Sequence, residues 1–312
     1  RGGSVCVDLA AVQAQVDRPD LDWPAAASWL AAVTASPLVG TPPVLHLDDG
    51  LLYFDRYWLE ERQVAQDVLT LAAAPRTGEL PDIARLFPAG FEEQRSAAEV
   101  ALSRGLTVLT GGPGTGKTTT VARLLALLAE QAELDGNPRL RIALAAPTGK
   151  AAARLQEAVQ LEVDQLSAAD RARLKTLRAT TLHRLLGSRR DTSSRFRHHR
   201  ENRLPHDVIV VDETSMVSLT MMARLLEAVR PESRLLLVGD PDQLASVEAG
   251  AVLADLVDGL STRAQSPVAR LVTPHRFGES IGALAQAIRD DDAESALDVL
   301  AAGGDHVEWV DT

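Results

Sequence analysis

The sequence is poor in cysteine, lysine and aromatic residues. Cys6 is its one cysteine, which excludes an intrachain disulfide and a cysteine-based metal site and suits a reducing cytoplasm. Aromatic residues make up 4% of the 312 positions while alanine is abundant, so the expected core is aliphatic. No apolar run approaches the roughly 20 residues of a membrane span, and no signal-peptide pattern opens the chain. Positive charge is in deficit, 32 Lys+Arg against 43 Asp+Glu, for a net charge of −11. That excludes a globally basic nucleic-acid binder and leaves room for a local basic patch. Hydrophobic residues at 46% and charged residues at 24% are globular values, not those of a disordered chain. The length suggests two or three domains, and a start at Arg1 instead of Met reads as the inside of a longer protein.

Only Lys117, Lys150 and Lys175 are lysine. In a chain that otherwise uses arginine, a retained lysine points to a need for a compact ammonium. Along the first 88 residues we expect a helix over 24–36, then a hairpin of Val44–Leu47 and Leu51–Phe54 turned by Asp49-Gly50, then a helix from about Trp58 to Ala74. Proline and glycine punctuate a connector after it. Beyond that, short apolar runs alternate with helix-period segments: Leu106–Thr110, Arg141–Ala146, Val208–Val211, Arg234–Val238 and Leu271–Thr273. Continuous apolar strands imply a mainly parallel sheet covered by helices, an α/β fold, and ligands in such sheets sit at the strands' carboxyl ends.

Polar motifs fall at those ends. Gly111, Gly112, Pro113, Gly114, Thr115, Gly116, Lys117 and Thr118 fit G-x-x-x-x-G-K-[ST], with Thr119 continuing into the helix. Such glycines let backbone N–H groups curl round phosphate oxygens, and the helix N-terminus adds its partial charge. Lys117 is placed to reach the β- and γ-phosphates of ATP, and Thr118 to ligate Mg²⁺. Asp212 and Glu213 close a second apolar strand; Asp212 suits the Mg²⁺ shell and Glu213 suits orienting an attacking water. Gln243 closes a third strand, where its amide can donate to a phosphate and accept from water. Asp240-Pro241-Asp242 is equally good turn chemistry, and spacing alone does not choose between these readings.

Taken in order, Gly-Gly-Pro-Gly-Thr-Gly-Lys-Thr-Thr-Thr, Ala-Pro-Thr-Gly-Lys-Ala-Ala, Thr-Leu-His-Arg-Leu-Leu-Gly, Val-Asp-Glu-Thr-Ser-Met, Val-Gly-Asp-Pro-Asp-Gln-Leu and His-Arg-Phe resemble the motifs of superfamily 1 helicases. Within them the chain resembles the RecD family, the alpha subunits of exodeoxyribonuclease V (RecBCD). The stretch Leu51-Leu-Tyr-Phe-Asp-Arg-Tyr-Trp-Leu-Glu-Glu-Arg62 carries the likeness into the N-terminal section. The resemblance implies a RecA-like P-loop domain over 89–268, preceded by a small, mostly helical domain over 1–88 that docks onto RecB-like and RecC-like subunits. It implies that 269–312 starts an incomplete second RecA-like domain, and that the sequence is a piece truncated at both ends. It makes Gln94 the residue that reads adenine, Gln243 a γ-phosphate sensor and Arg276 an arginine finger. The implied activity is ATP-driven, 5′-to-3′ movement on single-stranded DNA, in the cytoplasm.

On the nucleic-acid side, Pro147, Thr148 and Lys150 follow a strand and open a helix, a fit for a DNA phosphate; the plain alternative is a helix start capped by Thr148. His183 resembles the next DNA-facing motif. Residues 188–204 form a basic insertion in which Arg195, Arg197 and Arg200 are candidate DNA contacts and Phe196 a base-stacking platform. A solvated loop explains that composition equally well. A free-standing RecD-like helicase, a relaxase helicase module and a non-catalytic nucleotide-binding scaffold stay open as rivals.

Overall fold

A computed structural model describes residues 4–16, 20–137, 139–189, 192–243, 252–273, 284, 287–288 and 292–303, with the backbone alone at 15, 189 and 192–195. The chain opens with β1 (Cys6–Asp8), α1 (Val12–Gln15) and α2 (Ala26–Thr34). The expected hairpin follows as β2 (Leu45–Asp48) and β3 (Leu51–Phe54), paired antiparallel. Asp49 and Gly50 take the positive φ values, 47° and 81°, that so tight a turn needs. The sequence did not show that β1 adds to the hairpin, giving a three-stranded sheet in the order β1-β3-β2.

Helix α3 (Asp55–Ala73) leaves the hairpin directly. After the connector come α4 (Glu92–Ser103), β4 (Leu106–Gly111), α5 (Lys117–Leu134), β5 (Ile142–Ala146), α6 (Gly149–Gln165), α7 (Ala168–Arg173), β6 (Ala179–Thr181) and α8 (Leu182–Leu186). A small hairpin, β7 (Ser188–Arg189) with β8 (Thr192–Phe196), precedes β9 (Val208–Val211), α9 (Leu219–Ala228), β10 (Arg234–Gly239), α10 (Val252–Ser261) and β11 (Val268–Leu271). The order in the main sheet is β11-β4-β10-β9-β5-β6, and every neighbouring pair is parallel.

Alternating side chains of the strands feed two cores. Leu106, Val108, Ile209, Val211, Leu235 and Leu237 face α8, α9 and α10. Val208, Val210, Leu236 and Val238 face α4, α5 and α6. Helix α5 is buried nearly all round, from Val121 to Leu128, which explains its near-continuous apolar sequence.

The first core reaches into the N-terminal section. Val64, Val68 and Leu71 of α3 belong to it. Glu60, 4% exposed, accepts a 2.7 Å hydrogen bond from the Thr220 hydroxyl and pairs with Arg224. Arg76 then donates to the Pro231 and Ser233 carbonyls. The section expected as a separate unit over 1–88 therefore shares a core with the sheet.

The last strand also needs correction. The expected run Leu271–Thr273 meets the observed strand only at Leu271, because pairing with β4 begins at Val268. Val272 N and Thr273 N turn away to the Glu93 carboxylate on α4, at 2.8 and 3.2 Å. The sheet thus runs past the boundary expected at 268/269. Among the described residues, no helix is long and apolar enough to cross a membrane.

Candidate active site

The loop between β4 and α5 is built for close approach of backbone to a ligand. Gly114 and Gly116 take φ values of 78° and 81°. A side chain at Gly111 would meet Leu271 O and Thr115 Oγ1 at 2.6 Å, so glycine is required there by crowding. Lys117 opens α5 and folds back on this loop. Its Nζ donates to Gly111 O at 2.5 Å and Gly112 O at 3.0 Å. Burial pulls the ammonium below its ordinary pKa, while Asp240, Asp212 and Glu213 work in the opposite direction. These loop carbonyls hold the site that a phosphate-bound lysine would leave.

Asp212 and Glu213 follow β9. Burial pushes the Asp212 carboxyl up, the Glu213 carboxylate adds to this, and the Glu213 N–H and Lys117 oppose it. Glu213 sits at φ 51°, ψ 42°, left-handed backbone that costs a residue with a Cβ about 1–2 kcal/mol. Non-glycine residues held there are concentrated at working sites. The next turn is fixed by Thr214 Oγ1 donating to Val211 O at 3.0 Å.

One cleft of about 650 Å³ gathers Thr118, Asp212, Glu213 and Gln243. Thr148 and Lys150 line it too, so the residues read as DNA-facing share a cleft with those read as metal- and water-facing. Thr148 is also the helix cap, accepting from Ala151 N at 3.2 Å. A second cavity of about 800 Å³ lies across the loop, lined by Gly111, Gly112, Asp240 and Arg270.

The sequence reading missed three contributors. Asp240, 4% exposed, was absorbed into the turn chemistry of its motif. Its carboxylate accepts from Asp242 N at 3.2 Å and from Gln243 Nε2 at 3.3 Å, which leaves the Gln243 carbonyl oxygen free to accept. Glu162 of α6 accepts from the Thr119 hydroxyl at 2.8 Å, and Arg154 of α6 lines the cleft. Neither stands in a motif that spacing identifies.

Other candidates are not among the residues lining either cavity. Gln94 is 3% exposed on α4, not the surface glutamine its helix position suggests. Phe196 is 8% exposed, part of the core, with its ring 5.7 Å from that of His183 in an edge-on arrangement. It is therefore packed and not presented to a base. Arg200 holds Asp67 of α3 through two bonds, 3.2 and 2.7 Å. Arg203 donates to Val229 O. These contacts tie the insertion to α3 and to the end of α9. Arg197 packs beside Gly187, which has φ 76°. The side chain of Arg195 and all of Arg276 lie outside the described residues.

A family model described as an AAA domain matches residues 94–249. The RecBCD enzyme subunit RecD of Mycolicibacterium smegmatis is 76% identical over 99% of this chain and 55% of its own length. The protein of that name from Mycobacterium tuberculosis H37Rv is 66% identical over the whole chain and 54% of its own length. The chain thus spans about half the length of these relatives. Among solved structures, one titled for DNA unwinding at forked double-stranded DNA by two coordinating Pif1 helicases aligns with a TM-score of 0.41 and 21% identity, covering 69% of this chain and 51% of that one.

Proposed function

The chain belongs to the AAA domain family and is similar to RecD subunits along its length, and on that premise we propose that it hydrolyses ATP as part of a 5′-to-3′ DNA helicase subunit in an exodeoxyribonuclease V-type complex. The observation that carries this reading is the single cleft holding Thr118, Asp212, Glu213 and Gln243 beside the Lys117 loop. In-line phosphoryl transfer asks for positioned charge and a positioned water, with little covalent chemistry from the protein. Lys117 leaves the Gly111 and Gly112 carbonyls for the phosphates. The Glu213 carboxylate and the Gln243 carbonyl oxygen both accept hydrogen bonds, so the two can orient an attacking water. The likeness to RecD assigns the base to Gln94, which would have to open from its buried place on α4, and the finger to Arg276.

The donor set fits Mg²⁺. Thr118 and Asp212 offer a hydroxyl and a carboxylate at one cleft, the hard oxygen ligands that this ion takes. A carboxyl lifted by burial also gains when a cation arrives. When bound, the ion supplies charge that neutralises the phosphate oxygens.

Single-stranded DNA is read as passing near Lys150, which shares the cleft. Partner subunits are read as docking on the N-terminal section, where Val7, Leu30, Leu38, Val44, Phe54 and Leu59 are exposed.

The test is phosphate release with and without single-stranded DNA, on this chain and on a polypeptide extended across the rest of the relatives' length. Turnover in the extended form that DNA stimulates, together with Mg-ATP binding by this chain that Lys117→Ala abolishes in calorimetry, is the expected result. Equal affinity in wild type and Lys117→Ala would remove the phosphate cradle from the proposal.

A further inference from the structure

A groove of about 620 Å³ runs between α3 and α10, with β1 and β3 at its end. It shares no lining residue with the cleft that holds Thr118, Asp212, Glu213 and Gln243. Its floor is aliphatic, including Val64, Val68 and Leu219. Its rim carries Glu61 from α3 and Asp255 from α10, and among the described residues Arg263 is the one cation lining it.

The two carboxylates are poorly served by their surroundings. Burial, then repulsion from Asp255 and Asp48, lifts the Glu61 carboxyl above its ordinary range, and a Tyr53 hydrogen bond only partly offsets this. Burial, then repulsion from Asp258, lifts Asp255. Two acids, one from α3 and one from α10, thus face one groove across the junction of the N-terminal section and the sheet. Such an arrangement gains from a cation placed between the carboxylates. The aliphatic floor is too long for that cation to cover, and a polypeptide carries cationic and aliphatic side chains at spaced positions on one strand or helix.

We propose that this groove receives a segment of a partner subunit that sets one lysine or arginine between Glu61 and Asp255 and covers Val64, Val68 and Leu219 with its aliphatic neighbours. The proposal rests on the assembly reading above and names where and by what chemistry that assembly is held. The opposite face of α10 meets the nucleotide side, since a side chain at Gly239 would lie 2.7 Å from Leu253. The occupied groove therefore backs onto β10, which ends at Gly239, next to Asp240.

The experiment co-expresses the full chain with the RecB and RecC subunits of Mycolicibacterium smegmatis, as wild type, as Glu61→Gln/Asp255→Asn and as Glu61→Lys/Asp255→Lys. Neutralising the pair is expected to weaken association about tenfold, and reversing it about 100-fold or more. The neutral variant removes repulsion, so its melting temperature should hold or rise, and its loss of affinity does not come from misfolding. A photocrosslinker at Ala65, which also lines the groove, should join a partner peptide containing lysine or arginine. If the wild type assembles and both variants bind equally well, or the crosslink reaches a segment without a cation or a second copy of this chain, the groove proposal is overturned. A wild type that joins neither subunit overturns the assembly reading, and this one with it.

Discussion

Asp240 shows how one buried carboxylate can set the behaviour of a neighbour that faces the reaction. By accepting from Gln243 Nε2 it fixes which end of that amide is left for a water or phosphate. Asp240→Ala is expected to lower turnover roughly tenfold with nucleotide affinity nearly unchanged, the range seen when outer support of a reactive group is removed. Asp240→Asn, which keeps an acceptor oxygen, should recover most of the loss. Steady-state kinetics beside nucleotide titration checks this, and equal turnover in all three proteins would show that Gln243 needs no such support. Lys117, Thr118, Asp212 and Glu213 could be picked out in the sequence because they stand in a glycine-rich motif and at a strand end, and the fold brings the last three to one cleft; the roles given to them belong to the proposal above. Asp240 was not, because Asp-Pro-Asp satisfies turn chemistry whether or not its first carboxylate is buried. Phe196 was misread for a related reason: an aromatic among arginines looks the same in sequence whether it meets a base or the core.

Among the elements, β4, β5, β9 and β10 were readable from continuous apolar runs, since strands covered on both faces carry no polar alternation. The edge strands were harder. β6 is three residues long, Ala179–Thr181, and β11 contains an exposed Arg270, so neither presents an unbroken apolar run. The candidate DNA contacts fall on elements with different duties. Arg200 ties it to α3 through Asp67, whereas Lys150 opens α6 inside the cleft. Arg200→Ala should therefore lower stability by about 0.5–1 kcal/mol, the scale of a partly exposed pair, and leave DNA affinity unaltered. Lys150→Ala should do the reverse, weakening single-strand binding and flattening its salt dependence. Denaturant midpoints and binding isotherms at two salt concentrations separate the two, and swapped effects would reverse the assignment.

For the molecule as a whole, stability should depend on pH in two separate windows at the lower edge of the sheet. Burial, then repulsion from Arg141, depresses the His206 pKa below 6.5. The unfolded chain thus takes up that proton first, and stability falls as pH drops below about 6.5. Asp207 opposes its own burial with hydrogen bonds from Arg141 and Arg230, which hold it at about 2. Its contribution is complete above the unfolded value of 3.8 and is lost only as pH falls from there towards 2. In urea melts between pH 7 and 5, His206→Gln should flatten the decline seen in wild type; an identical decline in both would place the sensitive group elsewhere.

The sharing of a core between α3 and the sheet has a mechanical meaning. On the helicase reading proposed above, a push developed at the nucleotide site has to travel through matter that does not yield. Val64, Val68 and Leu71 bury one side of α3 in the sheet's own core, and the Glu60 and Asp67 bonds fix the same helix at two more points. The hairpin at its start, joined to the helix at Phe54–Asp55, thus forms one stiff piece with the nucleotide-binding half. On that reading the N-terminal section would serve as a mount, through which recoil passes into whatever partner it docks on.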